Sequence, residues 1–411
     1  MPEPTPLERN LLTQMDAGHD PTGSELFLAM IARGPLDVEA FAGAIRDLPS
    51  HNDGLRTGFR RDLQGDWERF VLPEATLPVE ILDLRECADP TGEANEAVRA
   101  FRHQGIDVGS PPLARVLLVR IGDDETWFIR HASHVALDGW SVVLINQELT
   151  ERYAALVEGR APRLPPRRDG ADLARALQDP PAPASLAYWQ EQTFAGAELA
   201  TDHPVAPGSG TPAAHLTAMT PHPVSAGLEA ACKRLGVSIR APLCLAWARA
   251  LAPLCTAGEG GLHVAFANRK DPARRGTVCY LSVSVPLMVP VEDDETTAQL
   301  QATMARLRAH QDHIDALPEK PRSQSIVDYH HVADYAAGLD LPGVAFHPHA
   351  ALPADVHHMY VHYRVELHSV RMFGTLVHLV RYRRDLFDPP TIQALIDRFA
   401  AELARIAEAC A

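Results

Sequence analysis

The stretch His131-Ala-Ser-His134-Val-Ala-Leu-Asp138-Gly139-Trp140 decides how the chain is read. It follows Thr126-Trp-Phe-Ile-Arg130, an apolar run with the character of a buried strand. It precedes Ser141-Val-Val-Leu-Ile-Asn-Gln-Glu-Leu149, which has the character of a helix. A histidine, a carboxylate four residues on and a glycine directly after it therefore stand at a strand-to-helix junction, where folds commonly present chemistry. Histidine exchanges a proton near neutral pH. The aspartate can orient it or fix the loop, and the glycine lets backbone approach a substrate. By itself H-x-x-x-D-G also suits a core histidine beside an ordinary Asp-Gly turn, so the surrounding chain has to decide.

Working outward, Leu113 to Ile121 and Thr126 to His131 flank Gly122-Asp-Asp-Glu125 and read as a hairpin. The helix after the motif is expected to end near Gly159. Upstream, Leu7, Leu11, Leu12 and Met15 mark a helix over 6–16. Ser24 to Arg33 is a strand candidate, and Asp37 is the expected N-cap of a helix with Val38, Phe41, Ile45 and Leu48 on one face. Residues 55–59 and 67–72 suit two paired strands. Downstream, the Pro- and Arg-rich segment from residue 159 to 185 is the best linker candidate. Beyond it, Ser225 is expected to cap a helix, residues 241–254 to form a buried helix, Leu262 to Asn268 a strand, and Val278 to Val291 a long strand interrupted at Pro286. Strands at 325–331, 343–349, 357–368 and 372–382 and a last helix, Pro390 to Ala409, complete an α/β pattern in both halves.

Composition limits the function. A chain of 411 residues with 46% hydrophobic and 22% charged residues has the size for two α/β subdomains. A formal net charge of -15 argues against nucleic acid as the main partner. No apolar run approaches the ~20 residues of a membrane span, and the N-terminus lacks an export signal, so a cytoplasmic protein is expected. The six cysteines, Cys87, Cys232, Cys244, Cys255, Cys279 and Cys410, are scattered without C-x-x-C and read as reduced thiols. The 20 histidines include His330-His331 and the set His357, His358 and His362, but no Cys/His group has zinc spacing, so no metal is expected. G-x-S-x-G, P-loop and dinucleotide fingerprints are absent from the sequence.

Several segments, taken in order, resemble the condensation domains of nonribosomal peptide synthetases, within the chloramphenicol-acetyltransferase-like superfamily. Gly34-Pro-Leu-Asp37 resembles the family's first-strand exit, and His51-Asn-Asp-Gly-Leu-Arg-Thr-Gly-Phe59 its RHxxLRTxF segment. Ser133-His134-Val-Ala-Leu-Asp138-Gly139-Trp140-Ser141 resembles HHxxxDGWS. Tyr188-Trp189-Gln190 with Ala200-Thr-Asp-His-Pro204, Phe266-Ala-Asn268-Arg269, Leu307-Arg-Ala-His-Gln-Asp312 and Tyr382-Arg-Arg-Asp-Leu-Phe-Asp388 are similar to later segments.

The resemblance implies two acetyltransferase-like α/β subdomains in a V with a central tunnel: 1–165 with the motif, a linker over 166–185, and 186–411. It implies that His134 is the catalytic base or positions the nucleophile, with the Gly139 N–H stabilising an oxyanion. Asp138 would then be structural, paired with Arg269 across the subdomains. Ser133 stands where the family has its first signature histidine and would support the site. Trp140, Ser141, Cys279 and Val283 would lie along the tunnel, the last two replacing the family's usual Gly and Asn. The implied reaction joins a carrier-bound acyl thioester to an amine or hydroxyl, forming an amide or ester. No cofactor of its own is expected, since the substrates would ride on the phosphopantetheine of carrier proteins acting in trans. A small free amine or alcohol is a further candidate partner, and a free-standing monomer is expected. A CoA-dependent acyltransferase of the same superfamily, an epimerase and a catalytically degenerate carrier-binding module are the alternatives.

Overall fold

The structure is a computed structural model that describes residues 3–16, 24–166, 183–191, 198–205, 213–255, 260–269, 272–289, 296–310, 324–331, 338–349, 351–353, 356, 361, 363–372 and 374–409. Most of the expected linker, the histidines His357, His358 and His362, and Cys410 lie outside the described residues.

The chain forms two compact units. The first comprises residues 1–179, 269–282 and 333–357; the second comprises 180–268, 283–332 and 358–411. The single C-terminal piece expected over 186–411 is therefore interrupted twice. A contiguous boundary fails because segments 269–282 and 333–357 find their partners in the N-terminal half.

In the first unit the elements are α1 (Pro6–Asp16), β1 (Glu25–Arg33), α2 (Val38–Arg46), β2 (Thr57–Arg61), β3 (Trp67–Val71), β4 (Val79–Asp83), α3 (Pro90–His103), β5 (Ala114–Gly122), β6 (Glu125–Ser133) and α4 (Gly139–Glu158). Ala345–Pro348 later adds an edge strand to β1. Five strands form one sheet in the order Ala345–Pro348, β1, β6, β5, β4, antiparallel except for the parallel β5–β4 pair. Both faces are covered, which explains the nearly continuous apolar runs in β5 and β6. Val116, Leu118, Phe128 and Ala132 face the core holding Phe41 of α2 and Leu149 of α4. Leu117, Val119, Trp127 and Ile129 face Val98 and Phe101 of α3.

Local sequence signals place several ends. Asp37 caps α2 by accepting from the Ala40 N–H at 3.0 Å. Thr5 and Glu8 form a capping box on α1, with Thr5 N–H to Glu8 Oε2 at 2.7 Å and Glu8 N–H to Thr5 Oγ1 at 3.1 Å. α4 ends at Gly159 in the left-handed conformation, φ 66°.

The second unit contains α5 (Pro183–Glu191), β7 (Ala213–Met219), α6 (His222–Leu235), α7 (Arg240–Leu251), β8 (Gly260–Phe266), β9 (Val283–Val289), α9 (Thr296–His310), β10 (Ser325–His331), β12 (Val365–Met372), β13 (Thr375–Arg383) and α10 (Pro389–Ala409). In this numbering α8 (Pro272–Arg275) and β11 (Ala345–Pro348) belong to the first unit. The six-stranded sheet runs β7-β13-β12-β10-β8-β9. Trp247 of α7 is fully buried, meets Phe399 of α10 edge-on at 5.4 Å, and donates to Ser325 Oγ of β10 at 2.8 Å.

Two expectations are corrected here. Ser225 does not cap α6, which starts three residues earlier at His222; its buried hydroxyl instead meets Thr375 Oγ1 at 3.1 Å. The long strand from Val278 starts only at Val283 and runs through Pro286. β9 is an edge strand, so a residue without an N–H costs it no ladder bond on the open side.

Candidate active site

The motif is built on the exit from β6. That strand ends at Ser133, and Ala136 N–H and Leu137 N–H both return to Ser133 O, at 3.2 and 3.3 Å. Val135, Ala136 and Leu137 are buried in the core of the first unit. These apolar anchors fix the turn and leave His134 the partly exposed member of it. Asp138 then caps α4, accepting from Ser141 N–H at 2.8 Å.

His134 is oriented by its own loop. Its Nδ1 lies 3.1 Å from Leu137 O. A carbonyl only accepts, so Nδ1 carries a proton, and in the neutral ring the lone pair is then on Nε2. This is the tautomer a proton acceptor needs, and Asp138 plays no part in setting it.

Asp138 is fully buried and otherwise engaged. Its Oδ1 accepts from Ser141 N–H and from Arg269 Nη2 at 2.9 Å, with Ser141 Oγ at 2.8 Å. Its Oδ2 accepts from Arg269 Nη2 at 2.9 Å, Leu281 N–H at 3.0 Å and Ser282 Oγ at 3.4 Å. Arg269 also donates to the carbonyls of Arg274 (2.6 Å), Thr277 (2.5 Å) and Cys279 (2.9 Å). The guanidinium thus ties segment 269–282 to the start of α4. Asp138 and Arg269 do meet, but inside one unit and not across two, because residues 269–282 belong to the first.

The other expected residues separate into groups. Ser133 is buried, and its hydroxyl accepts only a long 3.4 Å bond from Val135 N–H. Gly139 opens α4, and a Cβ there would meet nothing within 4 Å. Its N–H belongs to the first turn, which a helix leaves without internal partners. Trp140 is 38% exposed and donates from Nε1 to Arg275 O at 2.9 Å. Ser141, Cys279 and Val283 are buried. Ser141 and Cys279 are tied up in the Asp138–Arg269 network, and Val283 lies in the sheet of the second unit. Burial pushes the Cys279 thiol up to about 12, so it is not a thiolate at neutral pH.

Sequence reading missed two features. Tyr280 places its ring centre 5.9 Å from that of His134. Nothing local marks it, because the contact spans distant parts of the chain. Below the turn, His131 is fully buried; its Nε2 meets Glu25 Oε2 at 2.7 Å, and its Nδ1 meets Arg115 Nη2 at 3.0 Å. Burial holds its pKa below the ordinary histidine value, against the pull of Glu25. Glu25 lies opposite Ser133 in the β1–β6 register, so only strand pairing could reveal this cluster.

The second unit repeats the junction without the chemistry. β13 ends at Arg383 and α10 begins at Pro389, the spacing that separates Ser133 from Gly139. Leu386 and Phe387 return their N–H groups to Arg383 O, both at 3.1 Å. Arg384 stands where His134 stands in the first unit. Among the described residues no group of three or more His, Cys, Asp or Glu side chains is arranged to hold a metal ion, and no single helix is long and apolar enough to cross a membrane.

A family model described as a condensation domain matches residues 14–316. Nonribosomal peptide synthetase kk1B of Curvularia clavata is 26% identical over 403 residues, covering 92% of this chain, which spans 3% of that protein's length. The epimerization domain from the third module of tyrocidine synthetase B superposes with a TM-score of 0.80 at 18% identity, covering 99% of this chain and 96% of that one. The first condensation domain of the calcium-dependent antibiotic synthetase, in complex with a substrate analogue, gives a TM-score of 0.77 at 19% identity, covering 99% and 96%.

Proposed function

The chain belongs to the condensation-domain family, and on that premise we propose that it transfers an acyl group from a carrier-bound thioester to an amine or hydroxyl, forming an amide or ester. The observation that carries this reading is the setting of His134: a partly exposed ring with Nδ1–H pinned to Leu137 O, on a turn leading into a helix start clamped by Asp138 and Arg269.

The acceptor nitrogen or oxygen attacks the thioester carbonyl carbon. The C–S bond breaks, the phosphopantetheine sulfur leaves as a thiolate, and the acceptor's proton passes through Nε2 to that sulfur. For a neutral amine, holding the nucleophile in line contributes most; for a hydroxyl, removing its proton matters more. The N–H of Gly139, at the positive end of the 20-residue helix α4, is suited to steady the negative carbonyl oxygen. The carriers are proposed as partners supplied in trans, with phosphopantetheine as the substrate handle.

The test mixes the 411-residue chain with an acyl-loaded carrier protein and a panel of amines and alcohols, and reads products by mass spectrometry. His134→Ala is expected to lower transfer about 10²–10⁴-fold. Undiminished transfer by that variant would remove His134 from the chemistry. Efficient use of acyl-CoA would point to the CoA-dependent relative. The likeness to an epimerization domain favours a second reading, and exchange of the α-hydrogen of a loaded aminoacyl group in deuterated buffer, without transfer, would select it.

A further inference from the structure

We propose that Tyr280 is the specificity-determining wall of the His134 site, admitting acceptors that are unbranched next to the nucleophilic atom and resisting branched ones. This rests on the acyl-transfer reading above.

The ring centre of Tyr280 lies 5.9 Å from that of the His134 imidazole, with the planes 57° apart, within the usual range of aromatic contact. The nucleophile has to come within about 3 Å of Nε2. A ring this close to the imidazole bounds the space on its own side, so substituents of the acceptor that turn that way meet it.

The wall is also unusually fixed. On one side of Tyr280, Cys279 N–H donates to Ser141 Oγ at 3.1 Å and Cys279 O accepts from Arg269 at 2.9 Å. On the other, Leu281 N–H donates to Asp138 Oδ2 at 3.0 Å. Cys279 and Leu281 are buried, and the half-buried Tyr280 between them packs on one side against the first unit's core and on another against His134. Two residues earlier, Val278 O presses on Gly54 so closely that a Cβ there would sit 2.1 Å from it. These bonds and this close packing oppose a backbone shift that would carry the ring away from a bulky acceptor. The carboxylate that caps α4 beside His134 is also the one that holds this segment.

The experiment compares glycyl- and valyl-loaded acceptors with wild type, Tyr280→Phe, Tyr280→Leu and Tyr280→Ala, each first checked for an unchanged thermal unfolding midpoint. Wild type should prefer the glycyl acceptor. Tyr280→Ala should raise the valyl-to-glycyl ratio of kcat/KM about tenfold or more, chiefly through KM, with Tyr280→Leu intermediate and Tyr280→Phe unchanged. Equal loss on both acceptors, or a ratio that moves less than twofold, overturns the proposal. Calorimetric binding of unreactive amide-linked glycyl- and valyl-pantetheine to the same proteins separates the two claims. A shifted binding ratio without any product would keep the wall and sink acyl transfer. Product formation with unshifted ratios would do the reverse.

Discussion

Removing the Arg269 guanidinium should unfasten segment 269–282 from the start of α4. In Arg269→Ala the buried Asp138 carboxylate loses its cation, and the carbonyls of Arg274, Thr277 and Cys279 lose a donor. Breaking a buried pair from one side costs about 3–5 kcal/mol. Asp138 keeps the N–H groups of Ser141 and Leu281 and has the hydroxyls of Ser141 and Ser282 within reach, which places the loss at the low end, about 3 kcal/mol. Every one of these bonds lies in the first unit, so unfolding need not follow a single transition. Hydrogen exchange followed residue by residue is the suitable assay. The amides of Cys279 and Leu281 should exchange about a hundredfold faster in the variant, while those of β12 and β13 stay as protected as in the wild type. Arg269→Lys should recover only part of the protection, since an ammonium cannot reach both the carboxylate and three carbonyls. In a double-mutant cycle with Asp138→Asn, the two losses should fall short of additive by about 2 kcal/mol. Unchanged exchange at Leu281 in Arg269→Ala, or strict additivity in the cycle, would refute the clamp.

Two further outcomes follow from buried titratable groups. Burial pushes His378 in the core of the second unit down to about 4. Its ring nitrogens meet Thr220 Oγ1 and Ser369 Oγ at 2.7 and 2.8 Å. Because its folded pKa is depressed, the unfolded chain binds the proton first. The contribution is complete above pH 6.5 and is lost as pH falls through 4, a difference of about 3 kcal/mol. Denaturant titrations of wild type and His378→Gln should therefore converge as pH drops from 7 to 4, and parallel curves would count against the depressed value. At pH 8, iodoacetamide should modify the half-buried Cys87 well before Cys279 or Cys244, whose thiols burial pushes up to about 12. Rapid labelling of Cys279 in the folded protein would show that segment 278–282 opens.

Much of the site was legible because its signals are local. An apolar run, a histidine, an aspartate able to cap and a glycine at N1 define the β6–α4 junction within about ten residues, and the same capping chemistry placed α2. Thr5 and Glu8 carry an equally local capping box at the start of α1. Sequence similarity supplied the candidate pairing of Asp138 with Arg269, which no periodicity could suggest.

The sequence by itself determined the α/β character, the strand-turn-helix frame of His134 and, through apolar Val135, Ala136 and Leu137, which side chain that turn would leave exposed. Only the tertiary structure decided where residues 269–282 belong. From Val278 on their pattern suits a continuing strand, but the backbone of Cys279 and Leu281 bonds to Ser141, Arg269 and Asp138 instead, and the segment belongs to the first unit. That choice buries Cys279, brings Tyr280 to His134 and sends Val283 back into β9. Local propensity acts over a few residues. A buried carboxylate that must find its donors 131 to 144 positions away is satisfied only once the whole chain has folded.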